Sequence, residues 1–172
     1  TLINCLSDIP NDLDLIIFVD LNDYERAGSE IEKYMINFKN NILVIDHHQN
    51  PKINSTNSLI DTSCSATAIL IFKIIDHMQI SINKLIATNL LTGIITDTSS
   101  FKNSNTNSQS LEIASKLLDF GADLNLINSS IYNDRSIKRI DLEKKILSNF
   151  LFDNDSKTGF SYCTLEDYRK TN

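Results

Sequence analysis

At 172 residues, 41% of them hydrophobic and 22% charged, the chain has the make-up of an ordinary globular protein with enough apolar mass to build its own core. A net charge of -6 argues against a long charge-driven track along DNA or RNA, while leaving room for short oligonucleotides and mononucleotides whose phosphates meet bound metal ions. No apolar run approaches the roughly 20 residues that cross a bilayer, and the start of the chain lacks the basic lead and apolar centre of a signal peptide.

The first element is Leu15-Ile16-Ile17-Phe18-Val19, an uninterrupted apolar run that reads as a buried parallel strand and terminates in Asp20. After a loop carrying Arg26, the stretch from Gly28 to Phe38 spaces Ile31, Tyr34, Met35 and Phe38 as a helix does. Ile42 to Ile45 is a second strand without polar alternation; it ends in Asp46-His47-His48, and Pro51 stops it from continuing. Strand, helix and strand in this order predict a βαβ unit with a right-handed crossover.

Gln49 to Ser63 reads as a polar loop near the strand ends. Ser65 to Met78 is predicted helical, with Ser63 or Ser65 as N-cap, Cys64 buried and His77 a partly buried structural residue. A further helix starts at Asn83 and runs toward Thr96, leading into Asp97. From Asn107 to Phe120 the spacing sets Leu111, Ala114, Leu117 and Leu118 on one face, with Gly121 as the stop. Helices are also expected from Asp123 through Tyr132 and from Ser136 to Phe152, and Phe160 to Leu165 reads as a strand with nothing downstream to pair with. Cys5, Cys64 and Cys163 are widely spaced and form no C-x-x-C pair, which argues against a disulfide framework or structural zinc site and points to a reducing cytoplasm.

Three hydrophobic elements thus each deliver an acid or imidazole at the C-terminal end, where ligands of open α/β sheets bind. A single Asp after a strand is usually a turn residue, and a single His pair is more often a surface feature than a ligand set. The conjunction of Asp20, His47, His48 and Asp97 is what points to a divalent ion such as Mn²⁺, Mg²⁺ or Zn²⁺.

In order along the chain, Val19-Asp20 with Arg26-Ala27-Gly28, the triplet Asp46-His47-His48, the small-residue helix start Cys64-Ser65-Ala66-Thr67, and Thr92-Gly93-Ile94-Ile95-Thr96-Asp97-Thr98-Ser99-Ser100-Phe101 followed by Asn103 to Thr106 resemble the DHH phosphoesterase superfamily. The tail of the last block, together with Phe120-Gly121-Ala122-Asp123, is most similar to its nano-RNase and phosphoadenosine-phosphate phosphatase branch. The resemblance implies an α/β fold, a parallel sheet with helices on both faces. It implies a DHH domain over residues 1–134, a connector helix over 135–155, and the start of a C-terminal substrate-binding domain over 156–172.

The implied activity is metal-dependent hydrolysis of short oligoribonucleotides, dinucleotides such as pApA, or 3'-phosphoadenosine 5'-phosphate. By the same resemblance Asp20 would bridge two Mn²⁺ ions (Mg²⁺ or Co²⁺ as alternatives), and His47 and Asp97 would bind one of them. His48 would contact the phosphate or assist a proton, Asp46 would orient the histidines, and Arg26 would either reach a phosphate or anchor its loop. Asn105 and Thr106 are expected to shape a turn. No membrane partner is implied, and a homodimer is allowed.

Two departures temper this. The family's first motif, a histidine followed by Asp-x-Asp on an earlier strand, is not found; Asp8 lacks the context, and Asp12-Leu13-Asp14 sits too close to the Asp20 strand to occupy another. The glycine-rich loop of the C-terminal substrate domain is also not found. The expectation is an incomplete core with impaired activity. Two alternatives stand beside it: a manganese-dependent inorganic pyrophosphatase, echoed by Asp97 to Lys102, and a degenerate DHH domain that binds nucleotide or a partner protein without catalysis.

Overall fold

A computed structural model of the chain describes residues 9, 12–21, 23–38, 41–49, 52–53, 57–133 and 136–171. Cys5, Asp8, Asn40, Pro51 and Arg135 lie outside the described residues. β1 (Leu15–Val19), β2 (Asn41–Asp46) and β3 (Asn57–Ile60) form a three-stranded parallel sheet in that spatial order, an α/β fold of the expected class. Leu15–Val19 pair with Asn41–Ile45, and Leu43–Asp46 pair with Asn57–Ile60, so the three strands end level with one another. The ladder runs one step further on both sides: the Asp20 amide donates to the Ile45 carbonyl at 3.0 Å, and the Asp61 amide to that of Asp46 at 3.2 Å. That register fixes where Asp20, Asp46 and His47 meet.

β2 is the central strand, and Val44, Ile45 and Asp46 are buried. β1 differs from the sequence expectation. Its apolar run is not enclosed on both faces, for Leu15, Ile17 and Val19 are 45%, 50% and 50% exposed while Ile16 and Phe18 face inward. β3 lies inside the stretch read as loop. Asn57-Ser58 has weak strand preference, and the strand forms because pairing to Leu43–Asp46 satisfies its backbone.

α1 (Ser29–Asn37) joins β1 to β2, following a 3₁₀ turn at Tyr24–Ala27 and Gly28, whose φ of 101° suits glycine. α2 (Thr67–His77) has Ala66 as N-cap, not Ser63 or Ser65, and no side chain caps it. Ser63 is drawn away because its hydroxyl donates to Asp61 at 2.6 Å, and the Ser65 hydroxyl is buried without a partner. His77 is exposed, in contrast to the sequence reading, because α2 turns Ile69, Leu70 and Phe72 inward and leaves its last turn in solvent. α3 (Lys84–Asp97) is capped by the Asn83 side chain, and it buries Ala87, Leu91, Ile94 and Ile95. It passes close to α2 at Gly93, where an added Cβ would lie 2.9 Å from the Ala68 Cβ.

α4 (Ser108–Asp119) opens with a capping box between Asn107 and Ser110. It closes with Gly121 at φ 87°, the Gly121 and Ala122 amides donating to the Leu118 and Leu117 carbonyls. Its inner face is Ser110, Ile113, Ala114 and Leu117; Leu111 and Leu118 are 52% and 44% exposed. The apolar stripe read from sequence was therefore rotated, since the buried, self-capping Ser110 belongs to the inward face.

Residues 1–124 and 125–172 form two compact units. The helix expected from Asp123 through Tyr132 becomes α5 (Leu124–Asn128) and a π turn at Ser129–Asn133. α6 (Ile137–Ser148) starts where the helix was expected, with Ser136 as its N-cap, but stops well before Phe152. β4 (Leu151–Asp153) pairs antiparallel with β5 (Thr158–Phe160), so the late strand has an upstream partner and ends where it was expected to begin. Asp153 makes the reversal, its carboxylate accepting from the Asp155 amide and the Ser156 hydroxyl. α7 (Leu165–Thr171) follows. No described helix is long and apolar enough to cross a membrane.

Candidate metal centre

Asp20 follows β1 in a left-handed conformation, φ 60°, which Asp tolerates better than most residues. The turn aims its carboxylate at the start of α2, where the buried Thr67 hydroxyl donates to Oδ1 at 2.8 Å. Asp46 closes β2 and is wholly buried. Its Oδ1 accepts from the His47 amide at 2.7 Å, the His48 amide at 3.1 Å and His48 Nδ1 at 2.7 Å. Burial acts to raise the Asp46 pKa, but the His48 ring and the two backbone amides outweigh it and hold the carboxyl below its ordinary value.

His47 is oriented from the other side. Its Nδ1 lies 3.1 Å from the Cys64 carbonyl oxygen, which can only accept, so Nδ1 donates there and Nε2 is the nitrogen turned toward the carboxylates. Nε2 stands 3.6 Å from Asp20 Oδ1 and 3.6 Å from Asp97 Oδ2. Asp97 arrives as the last residue of α3, not from a strand edge. Its carboxyl is pushed above the ordinary value by burial and by the charge of Asp20, against an opposing pull from His47 and His48.

These atoms suit a divalent ion. Donors at about 2.1 Å from an octahedral ion lie about 3.0 Å apart when adjacent and about 4.2 Å when opposite, and the 3.6 Å separations about His47 Nε2 fall between. An imidazole whose far nitrogen donates to a carbonyl turns its other nitrogen toward the two carboxylates, the orientation a metal ligand needs. Asp20, Asp46, His47 and His48 also bring one donor atom each within 4.8 Å of one another. Within that group Asp46 Oδ1 already meets three donors and His48 Nδ1 is engaged with it at 2.7 Å; Asp20 and His47, with Asp97 from outside the group, are the residues that could hold an ion.

A cleft of about 310 Å³ opens beside Asp20 and Asp97, lined by Val19, Thr67, Ala68, Ile71, Leu90 and Gly93 among others. Arg26 sits exposed in the 3₁₀ turn, its charge acting on Asp23. Among the described residues no hydrogen bond or ion pair ties its guanidinium to the carboxylate–imidazole group. Asp12 and Asp14 are exposed in the turn before β1 and stand apart from the donor group. Thr67 and the Cys64 carbonyl are participants the sequence reading did not single out. The hydroxyl at a helix start was a usable signal for the first, whereas a backbone carbonyl leaves none.

A model of the DHH family, N-terminal domain, matches residues 3–94, more than half of the chain, and the chain belongs to that family. Asp97 lies just beyond the matched span. The chain is 37% identical over 99 residues to the bifunctional oligoribonuclease and PAP phosphatase NrnA of Thermus thermophilus, covering 57% of this chain and 28% of that protein. It is 32% identical over 142 residues to the cyclic-di-AMP phosphodiesterase GdpP of Bacillus subtilis, covering 78% and 21%. Its fold matches the crystal structure of an exopolyphosphatase-related protein from Bacteroides fragilis with a TM-score of 0.85 and 28% identity, covering 93% of this chain and 47% of that one. The chain therefore spans less than half the length of each of these relatives.

Proposed function

We propose that this chain carries the metal-binding part of a phosphoesterase that hydrolyses short oligoribonucleotides, dinucleotides such as pApA, or 3'-phosphoadenosine 5'-phosphate. The observation that carries the reading is the approach of Asp20 and Asp97 to Nε2 of His47, whose other ring nitrogen faces the Cys64 carbonyl. The relatives named oligoribonuclease, PAP phosphatase and phosphodiesterase support the same class.

Asp20, His47 and Asp97 would hold a divalent ion, Mn²⁺ in the first instance. When bound, such an ion supplies Lewis acidity to a phosphoryl oxygen and makes a water more acidic. The protein's own groups do the rest. Asp46 Oδ1 accepts from the His48 ring and from both histidine amides, and the Cys64 carbonyl holds the His47 ring. The 2.7 Å bond from Nδ1 of His48 to Asp46 fixes the ring, which leaves its Nε2 to meet a phosphate oxygen or a leaving oxygen. Thr67 keeps the Asp20 carboxylate in place when a negatively charged substrate approaches. Such a protein would work in the cytoplasm, and as a homodimer if it follows the expected branch.

The test is hydrolysis of pApA, 3'-phosphoadenosine 5'-phosphate and pyrophosphate by this chain with Mn²⁺, beside His47→Ala and Asp97→Asn. Nucleotide turnover lost in both variants supports the proposal. Turnover of pyrophosphate alone would move the assignment to a pyrophosphatase. Mn²⁺ binding without turnover of any substrate would support a binding domain and overturn the catalytic reading for this chain.

A further inference from the structure

Three successive carbonyls in the loop before α2 are each taken by a side-chain donor from a different place. Ser63 accepts from Asn107 Nδ2 at 2.9 Å, Cys64 lies 3.1 Å from His47 Nδ1, and Ser65 accepts from Asn105 Nδ2 at 3.1 Å. The same Asn105 nitrogen also donates to the Asp97 carbonyl at 3.2 Å, which Asn103 Nδ2 reaches from the other side at 3.2 Å. The Asp97 carbonyl is one of the last in α3 and has no acceptor role left within the helix.

The chain makes an unusual reversal to arrange this. Ser99, Ser100 and Phe101 all adopt left-handed backbone conformations, with φ of 47°, 60° and 64°. Non-glycine residues hold such geometry only where the surroundings over-determine it. Here the Ser100 amide donates to the Ile95 carbonyl at 2.8 Å, and the Lys102 and Asn103 amides to that of Thr98 at 2.9 and 3.0 Å. The Phe101 amide is held by the Thr98 hydroxyl at 3.0 Å. The wound segment returns the chain so that the Asn105 amide bridges the end of α3 to the loop before α2.

We propose that Asn105 is a positioning residue that sets the spacing of His47 from Asp97, a role that rests on the metal centre described above. His47 and Asp97 come from separate elements, the end of β2 and the end of α3. A hydrogen-bonded link between them runs from the His47 ring to the Cys64 carbonyl, one residue on to the Ser65 carbonyl, and through Asn105 to Asp97. Only a primary amide serves at position 105. Its nitrogen carries two hydrogens and meets two acceptors, whereas a carboxylate oxygen there would face both carbonyls with like charge.

The experiment measures two quantities on this chain and on Asn105→Ala, Asn105→Asp and Asn103→Ala: Mn²⁺ affinity by calorimetry, and the His47 tautomer in metal-free protein by long-range ¹H–¹⁵N correlation. Loss of Asn105 is expected to weaken Mn²⁺ binding about tenfold, the scale seen when a ligand's supporting partner is removed. It should also mix the Nδ1–H and Nε2–H forms of His47, which the unsubstituted chain keeps as Nδ1–H. Asn103→Ala retains the Ser65 link and should change affinity less than about threefold. A purely structural role would lower the melting temperature of Asn105→Ala without altering the tautomer, and would overturn the proposal. Equal losses in Asn103→Ala and Asn105→Ala would overturn it too. No Mn²⁺ uptake by the unsubstituted chain would refute the metal centre, and the tautomer comparison would then decide the role of Asn105 alone.

Discussion

Replacing Asp46 with Asn tests whether the two histidines are held by a charge or merely by a shape. The Asn side chain can keep its Oδ1 where three donors now converge, and its Nδ2 would take the position of Oδ2, which is buried without a partner. Hydrogen bonds to a charged acceptor are worth about 1.5–3 kcal/mol and neutral ones about 0.5–1.5, so three conversions cost about 3 kcal/mol before compensation. Relief of a buried charge offsets part of this, because burial is the largest single influence on Asp46 and acts against its ionised form. The lowered pKa says which effect wins: the fold favours the carboxylate, so Asn must destabilise, by about 1–2 kcal/mol at neutral pH.

The pH dependence follows with a definite sign. A group whose folded pKa lies below its unfolded value contributes stability that is present above the unfolded pKa and lost as pH falls through the folded one. The gap between the original chain and Asp46→Asn should therefore be full at pH 7 and should close as acid titrates the lowered Asp46 carboxyl. Urea titrations followed by circular dichroism at a series of pH values measure it. If the variant is as stable as the original at pH 7, or if the gap is the same at every pH, charge is not what holds His47 and His48.

Three further outcomes are expected. Thr67→Val removes the donor 2.8 Å from Asp20 and should weaken Mn²⁺ binding about tenfold, while Thr67→Ser stays within about twofold; calorimetry separates them. Gly93→Ala would bring two Cβ atoms to 2.9 Å, and despite the better helix propensity of alanine it should cost about 1–2 kcal/mol in urea unfolding. Adding Ala68→Gly to it should recover most of that loss. In a Cys5→Ser background a thiol reagent should modify the exposed Cys163 quickly and Cys64 only on unfolding, because burial and the neighbouring Asp61 raise the Cys64 thiol pKa against the opposing pull of Lys73.

What could be read in advance depended on whether local sequence or distant pairing decides the outcome. β1 and β2 were legible because four or five consecutive apolar residues ending in an acid have few other uses, and α3 and α4 because Asn83 and Asn107 announce their starts. β3 was not, since Asn57 to Ile60 holds only two apolar residues and becomes a strand through β2 alone. The inner face of α4 was misjudged because Ser110 looks polar in sequence, yet it caps its own helix and can be buried at no cost in unmet hydrogen bonds.

The site divides in the same manner. Asp20, Asp46, His47, His48 and Asp97 could be chosen by residue type and position, because carboxylates and imidazoles at element ends have chemistry that a buried strand does not require. What turns five such residues into one centre is backbone: an Asp20 in left-handed conformation, a Cys64 carbonyl that fixes a tautomer, and an Asp97 carbonyl gripped from two asparagines. None of these is a side-chain identity at its own position. Asn105 was read as a turn residue, and it is in a turn; its reach to Ser65, forty residues back, exists only once α2 and α3 have packed at Ala68 and Gly93. The candidate ligands are thus written in the sequence, and their geometry is written in the packing, so variants at Asn105, Thr67 and Gly93 examine a part of the candidate centre that variants of those residues themselves cannot.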